Sequence, residues 1–140
     1  MDSKSSAQWK GGLKDGSGKL NTTSAALKDV SYDFRTRFEG AEGTNPEEMI
    51  AAAHAGCFSM ALSNILGQED LTADSIETTA TVTVEKVDDG MAITKVHLDV
   101  VGKVPGASED TFLECANKAK NGCPVSKLLN ADITMDAKLA

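Results

Sequence analysis

Residues 45–66 read NPEEMIAAAHAGCFSMALSNIL, and from Met49 onward the run carries no full charge. Its first residues spell a helix start. Asn45 can accept backbone N–H groups as an N-cap, and Pro46 suits the first helical position because an N–H there would have no partner. Glu47 and Glu48 set negative charge on the positive end of the helix dipole. Glu48, three residues after Asn45, also fits a capping box. The pattern predicts a helix to about Leu66, stopped at Gly67. With no charge in its middle, it is expected to be buried on most sides. Ala51, Ala52, Ala53, Ala55, Gly56 and Ala61 are small enough for another backbone to approach closely.

Working outward, residues 7–38 read as short strands joined by turns at Gly11-Gly12 and Gly16-Ser17-Gly18. Residues 31–38 (SYDFRTRF) alternate in polarity, as a strand does. After the long helix, residues 76–86 alternate Ala80, Val82 and Val84 against Thr79, Thr81 and Thr83. Asp88-Asp89-Gly90 is a hairpin turn, and residues 91–101 return. Pro105-Gly106 breaks the chain, and Ser108 caps a second helix over about 109–120. Cys123-Pro124 opens a short third helix through Leu129, and Ile133, Met135, Ala137 and Leu139 alternate as a last strand. The fold class read from these elements is α+β, with mostly antiparallel strands around a buried helix in one domain spanning 1–140.

Composition narrows the function. The chain has 140 residues, enough for one real core, but only 4% aromatics. Its core must rest on Ala, Val, Leu, Ile and Met, so added burial in a dimer would help. A net charge of −7 repels phosphate backbones and anionic membranes, so nucleic acid is not an expected partner. No apolar stretch follows the early lysine, so no signal peptide is expected. The Ala-rich run is read as too short, and too interrupted by His54, Ser59, Ser63 and Asn64, to span a bilayer. A cytoplasmic protein is expected. Three cysteines, an odd number in a reducing compartment, argue for free or catalytic thiols rather than a disulfide framework.

Two of those thiols sit in contrasting settings. Cys57 lies mid-helix, where apolar surroundings raise a thiol pKa and make it inert unless a cation stands close. The helix itself supplies none. His54, one turn earlier, could serve Cys57 as a base, or be a buried histidine satisfied by a hydrogen bond. Cys123, before Pro124, faces the free amides of a helix start, which favour a thiolate; the alternative is an ordinary cap-site cysteine. A shielded thiol and a loop-end thiol could form a peroxidatic and resolving pair if the fold brings them together. Cys115, mid-helix, reads as a small core residue. The scattered His and Cys show no metal-ligand spacing, and no phosphate-binding loop is present.

Residues 36–63 (TRFEGAEGTNPEEMIAAAHAGCFSMALS) together with 118–126 (KAKNGCPVS) resemble the OsmC branch of the OsmC/Ohr thiol peroxidases. The likeness extends over nearly the whole chain, including the strands around Trp9 and Ala92-Ile93-Thr94-Lys95 and the C-terminal strand. The resemblance implies a peroxidatic Cys57, a resolving Cys123, an activating arginine and a glutamate that holds it. The Arg-Phe-Glu-Gly motif selects Arg37 over Arg35, and Asn-Pro-Glu selects Glu47 over Glu48. It implies an intertwined homodimer with antiparallel sheets wrapped around long central helices. Glu47 and Cys57 are ten residues apart on one helix, about 15 Å of rise. If both serve one site, Glu47 must come from a partner's antiparallel helix, and two-fold symmetry builds two such sites.

The resemblance thus implies a thiol-dependent peroxidase. Cys57 is oxidised to a sulfenic acid by an organic hydroperoxide, Cys123 resolves it as a disulfide, and an external dithiol or dihydrolipoyl group restores both. No metal, haem or flavin is needed. An apolar lining from Phe38, Met49, Ile50 and Met60 would favour organic hydroperoxides over hydrogen peroxide. The alternatives are a redox-sensing or ligand-binding dimer whose thiols oxidise without turnover, a Cys57–His54 thiol hydrolase, and a purely structural dimer.

Overall fold

A computed structural model describes residues 1–140. The chain divides into two compact units, Met1–Met49 and Ile50–Ala140. In the first, β1 (Ser5–Lys10), β2 (Ser17–Thr22) and β3 (Val30–Tyr32) form an antiparallel sheet in that order. The β1–β2 turn closes with the Gly16 N–H donating to Gly12 O at 2.8 Å. Ser17 and Gly18 belong to β2, so the predicted Gly16-Ser17-Gly18 turn ends at Gly16. Gly18 pairs with Trp9 on one side and Tyr32 on the other, and those rings meet 5.6 Å apart. A Cβ at Gly18 would lie 2.9 Å from Trp9 Cε3, so only glycine leaves room for the two rings.

The strand expected over residues 31–38 is not one element. β3 ends at Tyr32, and α1 (Phe34–Phe38) follows. Asp33 Oδ1 accepts the Thr36 N–H at 2.9 Å and Thr36 Oγ1 accepts the Asp33 N–H at 3.0 Å. This reciprocal cap satisfies two otherwise orphaned donors and outweighs an alternation only a few residues long.

The predicted long helix is α2 (Pro46–Gln68), 23 residues or roughly 34 Å. Asn45 Oδ1 accepts the Glu48 N–H at 2.8 Å, as a cap should. The return half of the capping box is replaced, because the Glu48 carboxylate takes the Thr44 hydroxyl instead. Gly67 does not stop the helix, which runs on to Gln68.

In the second unit, β4 (Ser75–Val87) and β5 (Gly90–Lys103) form the expected hairpin, with Gly90 at φ 124°. α3 (Glu109–Gly122) and α4 (Pro124–Leu128) then lead to β6 (Asp132–Leu139), which pairs with β5 in parallel. Two intervening helices provide the length that a parallel crossover needs. The core takes Phe58, Leu62 and Leu66 from α2, Val96, Leu98 and Val100 from β5, and Phe112, Ala116 and Ala119 from α3. Cys115 is part of this core, as expected.

His54 continues the buried α2 stripe at the same four-residue spacing as Phe58, Leu62 and Leu66. The rest of α2 departs from expectation. Ala52, Ala53, Gly56, Met60, Ser63 and Asn64 are exposed in the single chain, so only one stripe is covered. The helix is also long and apolar enough to cross a membrane by length and composition, with a mean hydropathy of 1.4, against the reading that it is too short. Its polar residues are nonetheless tied to protein. Ser59 Oγ bonds Thr78 Oγ1 and His54 Nε2 bonds Ser126 Oγ, each at 2.8 Å.

Candidate active site

Cys57 follows His54 by three residues and falls at the edge of the buried α2 stripe, so its side chain is half-buried. It opens on a cleft of about 420 Å³, where Met60, Ala61, Ile65, Asn64, Gly122 and Pro124 also stand. Cys123 sits at the junction of two helices. Its N–H closes α3 on Ala119 O at 2.9 Å, and it is the N-cap of α4, with Pro124 at the first position. The two sulfurs lie 3.0 Å apart although 66 residues separate them in sequence. Both are free thiols, and about 1 Å of approach would bring them to bonding distance.

The expected contrast between a shielded and a loop-end thiol holds in placement but not in exposure. Cys123 does cap a new helix, yet it is fully buried, and Cys57, read as buried mid-helix, faces the cleft. The cause is packing. Cys123 is enclosed where α3 turns into α4, whereas Cys57 is one position off the covered face of its helix.

Electrostatics follow the same division. Burial pushes the Cys57 thiol pKa up, and its hydrogen bond with Cys123 pushes it the same way, against a lowering bond from the Val125 amide. At Cys123 burial again opposes ionisation. There the bonds with Cys57, with the Ser126 amide and hydroxyl, and with the Val125 amide outweigh it, so the thiol is held below its ordinary value. As a neutral thiol Cys123 makes no side-chain cap; it is the anion that these donors favour. Cys57 ionises readily only if a further cation reaches it.

His54 is fully buried, with Nε2 on Ser126 Oγ at 2.8 Å and Nδ1 without a partner. Burial lowers its pKa. It is thus the hydrogen-bonded buried histidine rather than the base bonded to Cys57 that a thiol hydrolase needs. Sequence reasoning does not single out Ser126. The available signal is its position three residues after Cys123, where it completes the first turn of α4 on the same side.

In the first unit, Arg37 and Glu47 form a fork. Arg37 Nη2 reaches Glu47 Oε1 at 2.7 Å, and Nε reaches Oε1 and Oε2 at 3.1 and 3.2 Å. The Glu47 side chain is 9% exposed and that of Arg37 39%. Arg35 instead pairs with Asp33 at the surface, and Glu48 is exposed and bonded to Thr44. The Arg37 guanidinium lies 5.0 Å from the Phe38 ring centre. Beside it is a cleft of about 320 Å³ with Trp9, Leu13, Tyr32, Phe34 and Phe38 in its walls. Of the residues expected to form an apolar lining, Phe38 therefore stands by Arg37 and Met60 by Cys57, while Met49 and Ile50 are half-buried on α2.

One polar cluster escapes the sequence because parallel pairing assembles it. His97, Asp99 and Asp136 gather on β5 and β6, with His97 Nε2 3.1 Å from Asp136 Oδ2 and 3.5 Å from Asp99 Oδ1. This is a partly exposed, hydrogen-bonded group on the sheet face.

Comparison with known proteins agrees with this architecture. The OsmC-like protein family matches residues 39–138. The chain is 53% identical to peroxiredoxin OsmC of Escherichia coli over 136 residues, covering 97% of this chain and 95% of that one. It is 31% identical to the organic hydroperoxide resistance protein OhrB of Bacillus subtilis over 103 residues, 71% of this chain and 74% of the relative. The crystal structure of that OhrB superposes with a TM-score of 0.75, covering 96% of this chain and 97% of the other at 26% identity. An OsmC-like protein of Mycoplasma pneumoniae shares the fold at a TM-score of 0.77 and 16% identity, over 100% and 98% of the two chains. On these grounds the chain belongs to the OsmC/Ohr family of OsmC-like proteins.

Proposed function

We propose that this cysteine-based peroxidase reduces organic hydroperoxides with Cys57 as the peroxidatic thiol and Cys123 as the resolving thiol. The observation that carries the reading is the 3.0 Å approach of two free sulfurs, one facing a cleft and one enclosed. The Cys57 thiolate attacks the hydroperoxide, the O–O bond breaks, and the alkoxide takes a proton to leave as an alcohol. Cys57 remains as a sulfenic acid. Cys123 displaces its oxygen as water, forming the disulfide. An external dithiol, such as a dihydrolipoyl group of the reducing cytoplasm, returns both thiols. No metal or organic cofactor enters the balance.

The activating cation in this reading is Arg37, held by Glu47. Glu47 begins α2, and ten residues of helix, about 15 Å of rise, separate it from Cys57. Arg37 and Glu47 of the partner subunit therefore serve Cys57, in a homodimer whose two-fold axis builds the site twice. The exposed, uncharged side of α2 at Ala52, Ala53, Gly56 and Met60 supports such a partner, since these small residues admit another helix. The aromatic cleft beside Arg37 and the apolar walls beside Cys57 support an organic rather than an inorganic peroxide.

The test is steady-state consumption of cumene hydroperoxide with dithiothreitol or dihydrolipoamide. Native protein is expected to turn over, Cys57→Ser to be inactive, and Cys123→Ser to react once and recycle poorly. Failure of the fully reduced native protein to turn over with either dithiol would overturn the reading. Disulfide formation once per protein, without continued peroxide loss, would identify a sensor instead.

A further inference from the structure

Two buried polar side chains stand behind the thiol pair without a part in the chemistry above. His54 precedes Cys57 by three residues, Ser126 follows Cys123 by three, and their side chains meet at 2.8 Å across 72 residues of sequence. His54 is fully buried and Ser126 is 8% exposed, so this bond is shielded from water.

The unpartnered Nδ1 of His54 assigns the direction of the bond. A proton on Nδ1 would be a buried N–H with no acceptor, an arrangement native proteins avoid more strictly than a vacant lone pair. The hydrogen-bonding pattern therefore places the proton on Nε2, which donates to Ser126 Oγ. The Ser126 hydroxyl is then free to donate its own proton onward, and as the third residue of α4 it stands one turn from Cys123, the N-cap of the same helix.

We propose that His54 and Ser126 are positioning residues for the resolving step, a one-way chain from His54 Nε2–H to Ser126 Oγ and from Ser126 O–H to the Cys123 sulfur. The chain keeps that sulfur anionic and aimed at Cys57. This rests on the two-cysteine peroxidase reading. In the resolving step the Cys123 electron pair forms the S–S bond and the Cys57 S–O bond breaks. Hydroxide leaves into the cleft and takes up one proton, equal to the one Cys123 released on ionising. The net change is thiol plus sulfenic acid to disulfide plus water. The chain acts directly on this step, in which Cys123 is the nucleophile, and reaches peroxide cleavage only indirectly, through Cys123.

The test mixes reduced protein with one equivalent of cumene hydroperoxide. It follows Cys57 sulfenic acid by dimedone trapping and the disulfide by mass, both against time. Ser126→Ala and His54→Leu are expected to slow disulfide formation about tenfold, the loss of one hydrogen bond to a charged group. Sulfenic acid formation should stay within about twofold of native. Ser126→Thr, which keeps the hydroxyl, and His54→Gln, which keeps a donor, should recover most of the rate. The proposal is overturned if Ser126→Ala resolves at the native rate, if both steps fall together, or if Ser126→Thr is as slow as Ser126→Ala. Should His54→Leu fail to fold, the Ser126 pair decides, since Ser126→Ala removes a single oxygen. Native protein that forms no Cys57–Cys123 disulfide would instead overturn the two-cysteine reading beneath.

Discussion

Glu47→Gln isolates the charge that holds Arg37. The native fork has Nη2 on Oε1 at 2.7 Å and Nε bridging both carboxylate oxygens at 3.1 and 3.2 Å. Glutamine keeps the shape and one acceptor, but it turns the other oxygen into an N–H₂ group that faces guanidinium donors. A hydrogen bond to a charged group contributes about 1.5–3 kcal/mol when shielded. The Arg37 side chain is 39% exposed, so solvent screening reduces the loss to about 1–2 kcal/mol. If Arg37 must be held to stabilise the Cys57 thiolate, that loss appears as about a 5- to 30-fold fall in kcat/KM for cumene hydroperoxide. Glu48→Gln is the matched control. Glu48 is exposed and bonded to Thr44, so its activity should stay within about twofold of native. Native kcat/KM in Glu47→Gln, or equal losses in the two variants, would refute the assignment of Glu47 as the residue that orients Arg37.

Three further outcomes are expected. Burial lowers the His54 pKa from 6.5, so below that pH the unfolded chain gains a proton that the folded one refuses. Stability should fall as pH drops through 6.5, with a contribution of up to about 1.4 kcal/mol per pH unit. His54→Gln should lose that component when urea midpoints at pH 7.5 and 5.5 are compared, and an unchanged difference would contradict it. Gly102→Ala would put a Cβ 2.5 Å from Phe112 Cε2, so urea unfolding should show a loss of about 1–3 kcal/mol; an unaltered midpoint would mean that Phe112 can shift freely. Met60→Glu introduces charge on the uncharged side of α2, where Met60 is 79% exposed in the single chain. If a second copy covers that side, sedimentation should show a native dimer and a weakened one in the variant, whereas equal association would place the interface elsewhere.

The start of α2, the Asp88–Gly90 hairpin turn and the cap of α3 were legible because each is a local signal. Asn45 meets Glu48, and Ser108 meets Thr111, within four residues of chain. The alternation of Ile133, Met135, Ala137 and Leu139 likewise marked β6, since side-chain period is a property of the strand itself. Residues 31–38 misled because an Asp33–Thr36 cap competes with a short alternation, and only the folded backbone reveals which prevails. The motifs named Cys57, Cys123, Arg37 and Glu47, and the last two do meet as a fork.

What tertiary structure decided concerns direction and company. A strand's pattern is the same for either orientation of its neighbour, so the parallel pairing of β6 with β5 was not readable; it depends on the α3–α4 crossover. An uncharged helix does not declare which of its faces the same chain will cover, and α2 leaves one side open. Residue type fixed the chemistry that each cysteine can perform. Packing at the α3–α4 junction decided that Cys123 is the enclosed sulfur and that His54 answers to Ser126, because burial and hydrogen-bond partners arise from segments far apart in sequence.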